Sequence, residues 1–350
     1  MNHLPRDRNW TLQEINEEHS NVIPAVVFSV FAMTVGTLGN CLVLYVFKFK
    51  YKPSNHCYFI LSLAALDLIF CLLGIPFMIV EMRLRYVFDN DACKVHRFLN
   101  HFLGFCSGFI IMAIAIERYL KICKPNRKQI TDNMAIRLCY FSIIFGIVMA
   151  LPSTFLYGRS SFKLGTQNLS KCYYQDSYKG TVFPLLYQGF LVLWFITAGV
   201  TVCFSYSQIV CRIRTRSVTR NIASACATIS KSLDSSEDIS STSKQPTLTN
   251  INMFDNTELK STVNAHRLAK MLFIVAAVFI FSYVPYFGVT LALIINRKLL
   301  LIVSPSVTAV FEVFSKFYLI NNFTNPFVYG FMDRKFRAEC KTLFYRMIKR

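Results

Sequence analysis

Long apolar stretches recur along the chain at about 24–48, 57–80, 94–122, 134–157, 181–211, 266–295 and 304–331, separated by short polar segments. Crossing about 30 Å of hydrocarbon takes roughly 20 helical residues, so each stretch predicts a membrane-spanning helix. Polar residues interrupt the stretches at 94–122 and 181–211, which leaves their ends soft. Pro76, Pro152, Pro285 and Pro326 fall inside spans, where membrane helices tolerate them as kinks. After the last span, Phe331, Phe336, Leu343 and Phe344 recur at helical spacing on a basic background, which suits an amphipathic helix on a membrane surface. The expected fold is therefore an all-α membrane protein: a seven-transmembrane helix bundle with a short amphipathic C-terminal helix. Its expected divisions are an N-terminal segment (1–23), five spans (24–213), a Ser/Thr-rich loop (214–263), two spans (264–331) and a tail (332–350). The loop is poor in aromatics and predicted to be disordered.

Composition removes the soluble alternative. The chain is 54% hydrophobic and only 16% charged, with 33 Phe and a mean hydropathy of +0.40; so few charges cannot cover so much apolar surface in water. The net charge of +19 would suit nucleic acid, but its placement does not. Lys and Arg gather at 48–52, 121–137, 212–220 and 334–350, each beyond the end of an apolar run, as cytoplasmic flanks do. With an odd number of spans, this places the N-terminus outside and the C-terminus inside, in the plasma membrane. Sequons at Asn9 and Asn168 then face outward, where glycans are attached. No cleavable signal peptide is visible in the polar first 22 residues. The twelve cysteines show no metal-ligand spacing. Most lie inside apolar runs; Cys93 and Cys172 sit in polar segments. Cys340, on the tail helix, is placed for palmitoylation.

Polar side chains inside apolar spans are functional candidates. Asn40, Asp67, Ser107, Asn321, Asn322 and Asn325 are such residues. Amides can simply join helices, but a carboxylate at Asp67 needs a cation, a proton or a polar cage. Here the residues carry a resemblance. Gly39-Asn40-Cys41-Leu42-Val43, Leu63-Ala64-Ala65-Leu66-Asp67, Glu117-Arg118-Tyr119 and Asn325-Pro326-Phe327-Val328-Tyr329 stand in order, and the chain resembles the rhodopsin-like (class A) G-protein-coupled receptors from its first span to its tail. The resemblance implies a disulfide between Cys93 and Cys172, and an arginine, Arg118, at the G-protein interface. Helix length agrees: Cys93 lies 25 residues before Arg118, about 37 Å at 1.5 Å per residue, so the two stand at opposite membrane faces.

The same resemblance implies the mechanism. Glu117 pairs with Arg118 at rest; on activation span six swings out and Arg118, beside Tyr206 and Tyr329, meets the G protein. Tyr119, Tyr283, Pro285, Asn325 and Pro326 complete the switch positions. Asp67, Ser107, Asn321 and Asn325 fall where relatives hold an allosteric sodium ion, and all offer oxygen; no other cofactor is expected. The chain departs from the pattern in having Trp only at 10 and 194, with Tyr283 and Tyr86 where Trp is usual and Ala198 where proline is usual. Span six starts Ala265-His266-Arg267 without the acidic residue that restrains the arginine in many relatives, which predicts some basal signalling.

For the ligand, amine receptors carry an aspartate at the position of Asn100 and opsins a lysine at that of Leu319, so both classes are disfavoured. Asn100, His101, Tyr286, Phe287, Thr290 and Ser315 are expected to line a pocket whose mouth holds Glu81 and Glu312. A neuropeptide is the favoured ligand; a lipid, nucleoside or other small molecule is the alternative. The implied partners are that ligand, a heterotrimeric G protein, receptor kinases, arrestin and membrane lipids, with no nucleic acid. A transporter would need an inverted repeat or a row of pore charges, and the six histidines form no enzymatic constellation.

Overall fold

The computed structural model describes residues 22–84, 89–164, 167–234, 248–295 and 305–349. Nearly all of the N-terminal segment, with Asn9, lies outside them. Helix α1 (Ile23–Lys50) is followed by α2 (Asn55–Ile69), a π-helical turn (Phe70–Gly74) and α3 (Ile75–Arg83). Pro76 has no N–H to continue the ladder, so the backbone widens by one residue just before it. Then come α4 (Asn90–Cys123) and α5 (Asp132–Leu156), an antiparallel hairpin of β1 (Tyr157–Leu164) and β2 (Gln167–Tyr174), α6 (Phe183–Asp234) and α7 (Leu248–Ile295). Six of these units contain a stretch long and apolar enough to cross a membrane.

The seventh span departs from expectation. It is broken into α8 (Pro305–Phe314) and α9 (Leu319–Met332). Between them the backbone switches to three-residue bonds, Lys316 N–H to Val313 O and Leu319 N–H to Lys316 O, the tighter winding of a 3₁₀ turn. Ser315 Oγ donates to Glu312 O at 2.7 Å, drawing off a carbonyl of the ladder. The segment 214–263 also differs: its described parts are helical, α6 running to Asp234 and α7 starting at Leu248. Low hydrophobicity forbids packing, not helix. The stretches 214–234 and 248–263 contain no Gly or Pro, and a span that is already helical supplies the nucleus from which winding propagates. Thr215 and Thr219 satisfy their hydroxyls on the carbonyls of Cys211 and Thr215.

Helix α4 is the axis of the bundle, packing on α2, α3, α5, α6 and α7 and on β1. Close approaches use small residues. A Cβ at Gly39 would stand 2.6 Å from Pro326 Cγ, and one at Gly146 2.4 Å from Cys106 Sγ. Asn40, buried in α1, donates to Asn322 O of α9 at 2.7 Å and to Gly36 O at 3.0 Å, so it joins helices. Outward faces are as apolar as inward ones: Leu38, Leu193 and Phe281 are all more than half exposed. The tail helix α10 (Arg334–Ile348) starts at Asp333, whose carboxylate accepts from Lys335 N and Phe336 N. Phe336 is buried against Phe47 and Tyr329, and Lys335 Nζ sits 4.4 Å from the Tyr51 ring centre. Phe336, Cys340 and Leu343 pack on the bundle, while Phe344, Tyr345 and Ile348 stay exposed.

Candidate functional site

At the end of α4 distal to the hairpin, Glu117 and Arg118 are both buried, 2% exposed. Arg118 Nε donates to Glu117 Oε2. The other carboxylate oxygen, Oε1, accepts from Asn55 Nδ2 at 2.9 Å, and the same amide donates to Ile130 O at 3.0 Å. Asn55 opens α2 and Ile130 precedes α5, so the amide that holds Glu117 is itself anchored to a third segment. Sequence reasoning missed Asn55; a polar amide at the first residue of a span was the available signal. Arg118 Nη2 and Tyr206 Oη are buried without hydrogen-bond partners among the described residues. Tyr119 meets Phe204 in a tilted ring contact at 6.1 Å between centres, and Tyr329 is buried under Phe47. From His266 to Ala292, α7 contains no Asp or Glu.

Midway along the bundle, Asp67 is 1% exposed. Asn325 Nδ2 donates to its Oδ2 at 2.7 Å. Asp67 Oδ1, Asn321 Oδ1 and Asn325 Oδ1 are all buried without a hydrogen-bond partner among the described residues, and Ser107 is 6% exposed. A carboxylate so enclosed, with one neutral donor, needs a proton or a cation. Unpartnered oxygens from three residues fit a hard monovalent cation of the kind the resemblance implies.

Between α4, α6, α7 and the α8–α9 turn lies a cavity of about 70 Å³. Of the residues expected to line it, Asn100, His101, Tyr286 and Phe287 do. The others do not. Thr290 spends its hydroxyl on Tyr286 O and Ser315 on Glu312 O. Glu81 is taken by its neighbours, with Arg97 Nη2 on Oε1 and His96 Nδ1 2.7 Å from Oε2, and Glu312 is half-buried outside the wall. The rest of the wall, unread from sequence, is Gly104 and Phe105 of α4, Leu191, Trp194 and Phe195 of α6, Phe279 of α7 and Tyr318. Tyr283, expected as a switch, is also wall, 4.9 Å from Phe279 and 5.7 Å from Tyr318 between ring centres. Pro285 lies inside α7 two residues beyond it.

Cys93 and Cys172 form a disulfide that ties β2 to the start of α4. Asn90 Oδ1 also accepts from Arg159 N at 2.9 Å, so the hairpin is fixed to α4 twice. Asp89 caps α4 through the N–H groups of Asp91 and Ala92, and those bonds hold its carboxyl below the usual range. Asp176 accepts from Ser161 N at 3.0 Å and pairs with Lys179, which lowers it to about 2. Asn168 lies in β2 opposite Lys163. On α10, partial burial of Cys340 pushes its thiol up.

Comparison with known proteins agrees with this architecture. The chain is 32% identical over 154 residues to the neuromedin U receptor homolog nmur-2 of Caenorhabditis elegans, an alignment covering 42% of this chain and 38% of the worm protein. Mouse neuromedin-U receptor 2 is 24% identical over 342 residues, 92% of this chain and 75% of the relative. Trace amine-associated receptor 1 of Macaca mulatta is 23% identical over 346 residues, 95% and 92% of the two chains. The family model of the seven-transmembrane receptors of the rhodopsin family matches residues 39–329, from Gly39 against Pro326 to Tyr329 over Phe47. The chain belongs to that family, and is a multi-pass membrane receptor rather than an enzyme.

Proposed function

We propose that this receptor binds a peptide at its hairpin end and activates a heterotrimeric G protein at its Arg118 end. The observation that carries the reading is the buried Glu117–Arg118 pair, clasped by Asn55 at one end of the helix whose other end carries the disulfide and the cavity. One rigid element touches both sites. A ligand that favours a shifted α4–α7 arrangement therefore biases the pair toward release. The peptide reading is supported by the neuromedin U receptors among the relatives. It is also supported by the size of the cavity, about 70 Å³ against roughly 300–1,000 Å³ for sites that swallow a whole small ligand. One group enters, and the remainder of the ligand lies over the mouth.

In this reading the N-terminus, Asn9, Asn168 and the hairpin face outward across the plasma membrane, both asparagines accepting glycans. The Arg118 end, with α10, faces the cytosol, where receptor kinases and arrestin share the G-protein surface and Cys340 accepts an acyl chain. Asp67, Ser107, Asn321 and Asn325 would hold a sodium ion, which supplies the missing positive charge beside Asp67. The test is a peptide-library screen reading calcium and cyclic AMP together, with Arg118→Ala as control. Responses that vanish in Arg118→Ala at unchanged surface expression support the proposal. Substrate uptake or ionic current without nucleotide exchange refutes it.

A further inference from the structure

Among the described residues, the cavity wall contains no carboxylate, lysine or arginine. Glu81, one of the two acidic groups expected at its mouth, is already bound by Arg97 and His96. A charged group pushed into this space would lose its hydration with no charged side chain of the described wall to pair with, a cost no neutral group meets. The wall is instead built of rings. Phe195 lies 4.8 Å from Phe287, and Tyr283 lies 5.9 Å from Phe195, spacings at which aromatic faces and edges accept another ring. Gly104 leaves the floor open: a Cβ there would meet only Tyr283 Oη, at 3.5 Å. A glycine in the middle of α4 costs helix stability of roughly 0.5–1 kcal/mol, and no close backbone approach requires it here.

Two polar atoms of wall residues, Trp194 Nε1 and His101 Nδ1, are buried without hydrogen-bond partners among the described residues, and the indole nitrogen faces Gly108, 3.2 Å from where a Cβ would stand, rather than the open space. The indole N–H can only donate. Trp194 itself is held by Phe145 and Phe105, with ring centres 4.9 and 5.7 Å away, so the donor is fixed in place.

We propose that the group entering this cavity is an uncharged aromatic group, whose ring stacks among Phe195, Tyr283 and Phe287. This rests on the ligand-binding reading above and names the chemistry of that site. The ring comes either from a peptide residue or from a free small molecule.

The chain has two tryptophans, Trp10 and Trp194, so the full-length Trp10→Phe receptor in nanodiscs has one indole, in the cavity wall. Its fluorescence is titrated with N-acetyl-phenylalanine methylamide (neutral), phenethylamine (cationic) and 3-phenylpropionate (anionic). The expected result is a saturable spectral shift with the neutral probe and at least tenfold weaker binding of both charged ones. Arg97 Nε, one turn before His101 on α4 and buried without a hydrogen-bond partner among the described residues, makes the anion the sharp control. Equal or tighter binding of either charged probe overturns the proposal, as does no saturable change with the neutral probe up to roughly millimolar concentration.

Gly104→Leu, which fills the floor, is expected to weaken the neutral probe tenfold or more at unchanged thermal stability. Should that variant fail to fold, Gly104→Ala gives the same comparison with a smaller loss. Acetyl-Gly-Gly-Phe-Gly-Gly-amide separates the sources: tighter binding than the single residue supports a peptide, weaker binding a free aromatic molecule. A receptor that takes the neutral probe but never drives nucleotide exchange refutes the coupling reading while sustaining this one.

Discussion

Replacing Asn55 with Ala removes the amide that donates to Glu117 Oε1 at 2.9 Å and to Ile130 O at 3.0 Å. Glu117 keeps Arg118 but loses its only neutral clasp among the described bonds. A hydrogen bond to a charged group contributes about 1.5–3 kcal/mol. If the clasp exists only in the resting arrangement, its loss destabilises that arrangement by most of this amount. Each 1.4 kcal/mol is tenfold in an equilibrium, so the signalling-competent fraction rises by roughly one to two orders of magnitude, from for example about 1% to about 10% or more. The absence of any acid on α7 from His266 to Ala292 leaves few other restraints to mask the effect. The assay is ligand-free nucleotide exchange on a panel of G-protein heterotrimers, with wild type and Asn55→Ala matched for surface expression. The double variant with Arg118→Ala must return exchange to background. Exchange within twofold of wild type, with folding intact, refutes the idea that Asn55 discriminates between the two states.

Three further outcomes follow from the packing and the charges. Gly39→Ala places a methyl 2.6 Å from the rigid Pro326 ring and is expected to cost about 1–3 kcal/mol, read as a lower melting temperature. Gly199→Ala, with nothing within 4 Å, should lose none. Sodium should raise the melting temperature of the wild type relative to an organic cation of the same ionic strength. Asp67→Asn should abolish the difference, and a sodium effect that survives the substitution removes the ion from this cluster. Asp176 is held down to about 2 by Lys179 and Ser161. A depressed carboxyl contributes its stability above its unfolded value of about 3.9 and loses it only as pH falls toward about 2. Hydrogen exchange at the Ser161 amide should therefore show no acid-induced loss of protection between pH 7 and 5, whereas Asp176→Asn should accelerate it at both.

The sequence alone determined the number and order of the spans, the amphipathic tail and the polar residues buried within the bundle. Each of these is a sum over a local window, or a residue type that lipid cannot tolerate unless the fold uses it. Asp67, Arg118 and Asn325 were legible because a polar side chain inside an apolar run is conspicuous wherever it points. What the sequence could not carry is rotation about the helix axes. In a soluble helix the apolar stripe marks the inward face; in a membrane both faces are apolar, so Leu193, 61% exposed, and its neighbour Trp194, in the cavity wall, look alike. The cavity lining from α6, and Phe279 and the wall role of Tyr283 on α7, went unread for that reason, although the scarcity of tryptophan and a glycine at 104 were faint signals. The pairing of Glu81 with His96 and Arg97, the clasp of Asn55 on Glu117 and the break at Ser315–Tyr318 depend on which helices meet at which height. Only the tertiary structure decides that, because contacts between helices are set by packing of whole surfaces and not by any window along the chain.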